Sequence, residues 1–387
     1  MEAEIRVLHA VVNMNRGGAE TLIMNLYRKL DRTRVRFDFL TCREGAFDDE
    51  IVRLGGKIHR VPWITDAGPV GYARALDRFF AEEGRNYPIV HAHMDRMSGW
   101  VLRAARRAGV PVRIAHSHNT RSEGGPLERL YKWASGRLIA GSATDRFACS
   151  EAAADWLFGV RSAEARLIRN AIDCAAYAFD PEVRRAMRAE LDLKPGQLAV
   201  CHIGRFSPQK NHAFLIDLFA RLAAERPDAA LMLAGDGPLK ADIVRRIKAA
   251  GLGGRIRLLG VRGDIPRLLA AMDVMVFPSL HEGLPVALIE AQAAGLPCVI
   301  SDRITAEADI GIGLVTRLPL EAPAERWLRA IERGAAGAES GLSRRMAAEQ
   351  ARRRGWDIAG VAAELADYYG QAILRRASGP AGMRRIG

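Results

Sequence analysis

Two acids interrupt an apolar run in the second half of this chain, Glu282 and Glu290 in "HEGLPVALIEAQAAGLPC", residues 281–298. Pro285 suits a first helical turn, where its missing N–H costs nothing, and Gly295 with Pro297 reads as a stop, so the spacing predicts a helix over about 285–294. Glu282 then stands in the loop ahead of the helix and Glu290 more than one turn inside it. On the bland account, Glu282 offsets the positive helix N-terminus and Glu290 snorkels to water. Arg205 and Lys210 in "GRFSPQKNH" flank a turn just after an apolar run and just before a helix. A forked guanidinium plus a point-charge ammonium suits a diphosphate, and the position at a strand end favours that use over two solvated charges.

Two H-x-H pairs, His91 with His93 and His116 with His118, each close a strand-like run. Residues two apart share a strand face, so each pair can present two imidazoles side by side. That permits metal ligation, and it equally permits a hydrogen-bonding histidine beside a catalytic one. A metal would want carboxylates with them; Asp95 is near, but no full ligand set is evident. Gly17 and Gly18 in "NMNRGGAE" open a helix whose free N–H groups can receive an anion or a sugar oxygen. The plainer reading of two adjacent glycines is a tight turn that needs positive φ.

Several chemistries are absent. The first strand is not followed by G-x-G-x-x-G, no P-loop or G-x-S-x-G occurs, and no Asp-x-Asp offers a metal-diphosphate carboxylate pair. Five widely spaced cysteines lack any C-x-x-C and read as small buried hydrophobes in a reducing cytosol. The formal charge of +12 attracts polyanions: nucleotide diphosphates, nucleic acid or an anionic membrane leaflet. Aromatics at 6% argue against a nucleic-acid reader. No signal peptide is evident, and no apolar run approaches the ~20 residues that span a bilayer.

Strand-like runs alternate with helix-periodic segments to position these residues, the pattern of parallel sheets flanked by helices. One series runs through "RVLHAVV", "RFDFLT", "KIHRVP", "PIVHAHM", "VRIAHSH" and "RFACS"; a second runs through "QLAVCHIGRF", "AALMLAGDGP", "RIRLLG", "DVMVFPS" and "PCVISD". The expected fold class is therefore α/β, two Rossmann-like doubly wound domains facing across a cleft. The expected boundaries are 1–172 for the first domain, 173–195 for a linker and 196–355 for the second domain. A helix over 356–376 is expected to return to the first domain, and 377–387 to form a mobile tail.

Taken together, "GGAE", "RIAHSHN", "GRFSPQKN", "LAGDGP", "AMDVMVFPS" and "EGLPVALIEAQAAGLPCVISD" resemble glycosyltransferase family 4, retaining nucleotide-sugar transferases of the GT-B fold. Within it the wording is most similar to the bacterial exopolysaccharide or capsule branch of EpsF type, over about residues 5–310. The most specific element is E-x7-E, met by Glu282 and Glu290. The resemblance implies that Glu290 receives the ribose hydroxyls and Glu282 the hydroxyls of the donor sugar. The backbone of Gly283 and Leu284 meets the sugar or distal phosphate, and Arg205 and Lys210 neutralise the departing diphosphate. Gly18 lets the first-domain loop close on it, with Gly17 beside it among the donor-binding positions, and the base lies near Gly260 and Val261. His118 is the match for a first-domain histidine near the donor sugar, with His116 on the same strand face. Many family members carry E-G-F-G-L-P where this chain has Glu282-Gly283-Leu284-Pro285, so one loop glycine is missing.

The activity so implied moves a sugar from a nucleotide diphosphate sugar, a UDP-sugar, to a lipid-linked oligosaccharide on a polyprenyl diphosphate. It calls for no metal and no cofactor beyond the donor substrate. The implied setting is cytoplasmic, with peripheral contact at the anionic inner membrane through the first domain. The rivals are a nucleotide-sugar epimerase of the same fold, a metal-dependent hydrolase built on the H-x-H pairs, and a non-catalytic nucleotide-sugar-binding module.

Overall fold

A computed structural model describes residues 4–122, 125–338 and 341–378. The chain divides into two compact units, residues 1–170 with 358–387, and residues 171–357. Each is built on a parallel sheet whose central strands are buried on both faces because helices cover both sides.

In the first unit the strands are β1 (Ile5–Ala10), β2 (Val35–Thr41), β3 (Ile58–Arg60), β4 (Ile89–Ala92), β5 (Val112–Ser117), β6 (Asp145–Ala148) and β7 (Ala165–Leu167), in the order β3-β2-β1-β4-β5-β6-β7. Leu8, Val90 and Ala115 point to one face. There they pack with Tyr72, Leu76 and Phe80 of the helix Ile64–Glu83 and with Val101, Leu102 and Ala105 of the helix Ser98–Arg107. The strand order reverses between β1 and β4, the switch point outside which open α/β sheets bind ligands. The helix Ile358–Ala377 belongs to this unit. Its Tyr369 hydroxyl lies 2.8 Å from Nδ1 of His91, and its Tyr368 hydroxyl donates to Asp145 at 2.5 Å.

In the second unit the order is β10-β9-β8-β11-β12-β13, with β8 Ala199–Ile203, β9 Ala230–Ala234, β10 Ile256–Gly260, β11 Val274–Phe277, β12 Cys298–Ser301 and β13 Val315–Leu318. Its switch point lies between β8 and β11. Val200, Leu231, Val274, Val276 and Val299 form the sheet's contribution to a core closed by Phe219, Leu222, Trp327 and Ile331.

One sequence expectation needs correction, and two strands were missed. Residues 173–195 are not a bare linker: they hold a 3-10 turn (Cys174–Tyr177) and a helix (Pro181–Glu190), and they group with the second unit. The edge strands β7 "ARL" and β13 "VTRL" were not anticipated, because short, partly exposed edge strands carry charges rather than an apolar run. The tail 377–387 falls almost wholly outside the described residues.

Candidate active site

The second unit assembles its site where two loops meet at the switch point. After β8 the chain makes a 3-10 turn (Pro208–Lys210) and then enters the helix His212–Glu225 through Asn211, whose φ of 55° is left-handed. After β11 it runs through Pro278–Pro285 into the helix Val286–Ala293. The loops are joined by Leu280 N–H donating to Gln209 O at 2.8 Å, Asn211 Nδ2 to Pro278 O at 3.2 Å, and Gln209 Nε2 to His281 O at 2.8 Å. Lys210 Nζ thereby donates to Glu282 Oε1 at 2.7 Å, while Gln209 Nε2 reaches the other carboxylate oxygen at 3.2 Å. The ammonium also sits 4.6 Å from the centre of the Phe277 ring, whose negative face favours a cation there. Lys210 and Glu282 are thus a largely buried pair, with side chains 14% and 8% exposed.

The "GDGP" glycines explain how this turn is cradled. A Cβ on Gly235, whose φ is 145°, would lie 2.0 Å from the carbonyl oxygen of Gly204, and one on Gly237 would lie 2.6 Å from that of Phe206. Only bare backbone lets the loop after β9 approach the loop after β8 so closely.

The helix starts one residue later than expected. Pro285 is its cap with an extended ψ of 114°, and the helix spans Val286–Ala293. It is apolar nearly all round and accordingly buried, and it carries Glu290 inward. Glu290 does not snorkel: it is 9% exposed and accepts a hydrogen bond from the Tyr177 hydroxyl at 2.5 Å. Burial pushes the Glu290 carboxyl above its ordinary range, and the Tyr177 bond partly opposes this. Burial and the adjacent carboxylate both raise the Tyr177 phenol. Glu282 is likewise no surface charge capping a helix, since Lys210 takes its oxygen.

Arg205 stands exposed immediately after β8. Gly283 and Leu284 are buried in the loop that precedes the helix. Gly260 ends β10 with a φ of 66°, its carbonyl accepting from Gly235 N–H at 2.8 Å, and Val261 beside it is exposed.

In the first unit the helix Gly18–Lys29 starts directly after the β1 loop with Gly17 as its cap. The turn reading fails: Gly17 has a φ of −103°, and Gly18 is not among the positive-φ glycines. A Cβ on Gly18 would meet nothing within 4 Å, so neither backbone sign nor packing inside this unit demands that glycine.

The H-x-H pairs do share strand faces. The rings of His91 and His93 stack 4.2 Å apart, and those of His116 and His118 lie 4.1 Å apart. Across the strands, His93 Nδ1 is 2.8 Å from His118 Nε2, and His91 Nε2 is 3.1 Å from His116 Nδ1. A fifth imidazole joins them that sequence reasoning missed: His9 of β1, with Nδ1 2.9 Å from His93 Nε2. The sole signal for it was a polar residue in an apolar strand, and its partner follows only from β1 lying beside β4. Burial holds all five neutral, lowering His9 and His118 to about 3 and keeping His91, His93 and His116 well below the usual imidazole range. Asp95, at a strained φ of 47°, accepts from the backbone N–H of His118 at 3.2 Å and from Asn119 Nδ2 at 2.6 Å, fixing the loop that carries His118.

The trios His9-His91-His93 and His93-His116-His118 bring one nitrogen each within 4.8 Å of one another, a spacing that could hold a cation. The same rings pair nitrogen to nitrogen at 2.8 to 3.1 Å, the distance of a shared proton. Nitrogens bound to one ion at about 2.0–2.1 Å in a tetrahedral site stand farther apart than that. The arrangement fits a hydrogen-bonded imidazole network better than a metal centre.

The cysteines are free, and Cys149, Cys174, Cys201 and Cys298 are buried. The model of "Glycosyl transferase 4-like domain" matches residues 17–171, and that of "Glycosyl transferases group 1" matches residues 183–354. EpsF of Bacillus subtilis (strain 168), named as a glycosyltransferase, is 44% identical over 86% of this chain and 88% of its own length. The UDP-Gal:alpha-D-GlcNAc-diphosphoundecaprenol alpha-1,3-galactosyltransferase of Escherichia coli is 33% identical over 56% of this chain and 58% of its own. Among solved structures, Anabaena Alr3699/HepE in complex with UDP-glucose shares the fold with a TM-score of 0.79 at 21% identity, covering 95% of this chain and all of its own. With two doubly wound units and an E-x7-E element at the second switch point, the chain belongs to glycosyltransferase family 4, of GT-B fold, in its EpsF-type branch.

Proposed function

We propose that this enzyme transfers a sugar from a UDP-sugar, with retention at the anomeric carbon, to a polyprenyl-diphosphate-linked glycan during exopolysaccharide or capsule synthesis. The observation that carries the reading is the Lys210–Glu282 pair at the second switch point, with Glu290 on the helix that follows. Lys210 and the exposed Arg205 supply cationic donors to the diphosphate, most strongly as its charge grows on leaving. Glu282 accepts from the donor sugar's hydroxyls and Glu290 from the ribose. The backbone of Gly283 and Leu284 meets the sugar or distal phosphate, and Gly260 with Val261 flank the base. Gly17 and Gly18 open a helix N-terminus suited to an anion, and His118 offers a hydrogen bond to a sugar oxygen. The anomeric carbon–phosphate oxygen bond breaks as the acceptor oxygen bonds from the same face, and the acceptor's proton passes to the departing phosphate. No protein nucleophile and no metal enters this scheme.

Support for the donor and acceptor classes comes from the Escherichia coli relative, named for UDP-Gal and a diphosphoundecaprenol acceptor, and from HepE, solved with UDP-glucose. Membrane contact is assigned to the helix Pro126–Ser142, which exposes Leu130 and Trp133 between Arg129 and Arg137. The Arg137 guanidinium lies 4.9 Å from the Trp133 ring. An apolar anchor among basic side chains suits an anionic interface. Among the described residues no helix is long and apolar enough to cross a membrane.

Thermal-shift titration with a panel of nucleotide sugars, with and without chelator, tests this reading. Stabilisation by a UDP-sugar that persists in chelator is the expected result. Stabilisation that needs a divalent ion, or no response to any nucleotide sugar, overturns it.

A further inference from the structure

The five imidazoles form two separate chains with different ends. In one, His9 Nδ1 meets His93 Nε2 at 2.9 Å and His93 Nδ1 meets His118 Nε2 at 2.8 Å, leaving Nε2 of His9 and Nδ1 of His118 buried and without a partner among the described residues. In the other, the Tyr369 hydroxyl meets His91 Nδ1 at 2.8 Å and His91 Nε2 meets His116 Nδ1 at 3.1 Å.

A neutral imidazole carries one proton, so two facing ring nitrogens can bond only if one has it and the other does not. The first chain therefore has two self-consistent states. In one, all three rings are protonated at Nδ1 and His118 offers a donor; in the other, all three are protonated at Nε2 and His118 offers an acceptor. Each state leaves one N–H and one bare nitrogen unpaired, at opposite ends. The two ends differ. His9 is fully buried with its ring centre 4.0 Å from that of Phe37 and 5.8 Å from that of Phe39, whereas His118 is half-buried beyond β5. The Asp95 carboxylate is also held on the His118 backbone N–H, and a negative charge there favours a proton at that end. Both terminal nitrogens are buried and unpartnered among the described residues, so the choice between the states rests on the Asp95 charge and on the His9 ring having no exposed surface from which its N–H could find an acceptor.

We propose that His9 and His93 are positioning residues that lock His118 in its Nδ1–H tautomer, so that it donates a hydrogen bond to an oxygen of the nucleotide-sugar donor. The use of that donor rests on the reading of His118 given above; the tautomer itself does not. The second chain differs at its other end, where the Tyr369 hydroxyl can donate or accept, while His116 Nε2 is buried and without a partner among the described residues.

The test is two-bond 1H–15N correlation on the full chain labelled in its histidines, at a pH where the rings are neutral. The wild type is expected to show His9, His93 and His118 all protonated at Nδ1. His93→Leu removes the coupling, and His118 is then expected to show substantial Nε2–H. His93→Gln, which can accept from His9 and donate to His118, is expected to keep Nδ1–H. If His93→Leu does not fold, His9→Phe takes its place, with the same loss of a single tautomer expected. Nε2–H at His118 in the wild type, or an unchanged His118 in the uncoupled variant, overturns the lock. UDP release from UDP-glucose and UDP-galactose gives the second readout: His93→Leu is expected to lower kcat about tenfold with KM nearly constant, and His93→Gln to restore most of it. An inverted tautomer with unchanged kcat overturns the link to turnover, and with it the placing of His118 at the donor, while the lock stands.

Discussion

Lys210 Nζ lies 2.7 Å from Glu282 Oε1, so a cation from the loop after β8 and an anion from the loop after β11 hold each other in place at the sheet's switch point. Each group is positioned by the charge of the other before any ligand arrives. Removing Lys210 leaves a largely buried carboxylate without its cation, and breaking a buried ion pair costs about 3–5 kcal/mol. Lys210→Met should therefore destabilise the protein by roughly 3 kcal/mol in urea unfolding, and Lys210→Met with Glu282→Gln should recover much of the loss. Both should reduce turnover about 100-fold or more. A single variant as stable as the wild type would show that the pair contributes little.

Glu290 and Glu282 are assigned to different parts of the donor. Glu290→Ala should weaken binding of UDP itself more than Glu282→Ala does, as read by calorimetry with UDP alone. Equal losses would remove the division between ribose and sugar.

Burial raises the Glu290 carboxyl in the folded chain above its ordinary 4.5. Its contribution to stability is then complete below that ordinary value and is lost as the pH rises through the raised one. Glu290→Gln keeps the shape without the charge. It should melt higher than the wild type at neutral pH and bind UDP more weakly. The gain should vanish in acid; a gain independent of pH would point to a cause other than the buried charge.

The histidine cluster has the opposite pH signature. His9 and His118 are lowered from 6.5 to about 3 on folding, so the unfolded chain takes protons that the folded chain refuses. Their contribution is present above 6.5 and is lost as the pH falls from there towards 3, at about 1.4 kcal/mol per pH unit for each. Urea midpoints should drop steeply between pH 6.5 and 5, and His9→Phe should flatten the slope. An unchanged slope would mean that His9 is not neutral in the folded state.

Membrane contact through the helix Pro126–Ser142 predicts that Arg129→Glu with Arg137→Glu will weaken co-sedimentation with anionic vesicles, by about 1 kcal/mol per arginine removed. Trp133→Ala should weaken it further. Equal binding to neutral and anionic vesicles would rule this helix out as an anionic-lipid contact.

Much of this was legible from sequence because parallel strands covered on both faces must read as continuous apolar runs, and because ligand loops follow their carboxyl ends. Lys210 and the two H-x-H pairs stood out at such strand ends and Glu282 as an acid in an apolar run, while the roles given to them, and the choice of His118 over His116, came from the family resemblance. Their partners did not stand out. Tyr177 lies 113 positions from Glu290, in a stretch without strand or helix periodicity, and His9 lies 84 positions from His93. Both pairings follow from which elements become neighbours, and one chain's periodicity does not carry strand order. The two charges of the Lys210–Glu282 pair were each read as facing a ligand, when in the resting molecule they face each other.

The helix Ile358–Ala377 bears on how the protein is made. It closes the first unit, with Tyr369 on His91 and Tyr368 on Asp145, yet it leaves the ribosome only after all of residues 171–357. Domains usually fold as they emerge, first half first. Here the first-made half waits for the last-made helix, with the sheet surface under that helix exposed while the second unit is synthesised. The growing chain therefore carries an incomplete first unit for as long as the second is being made.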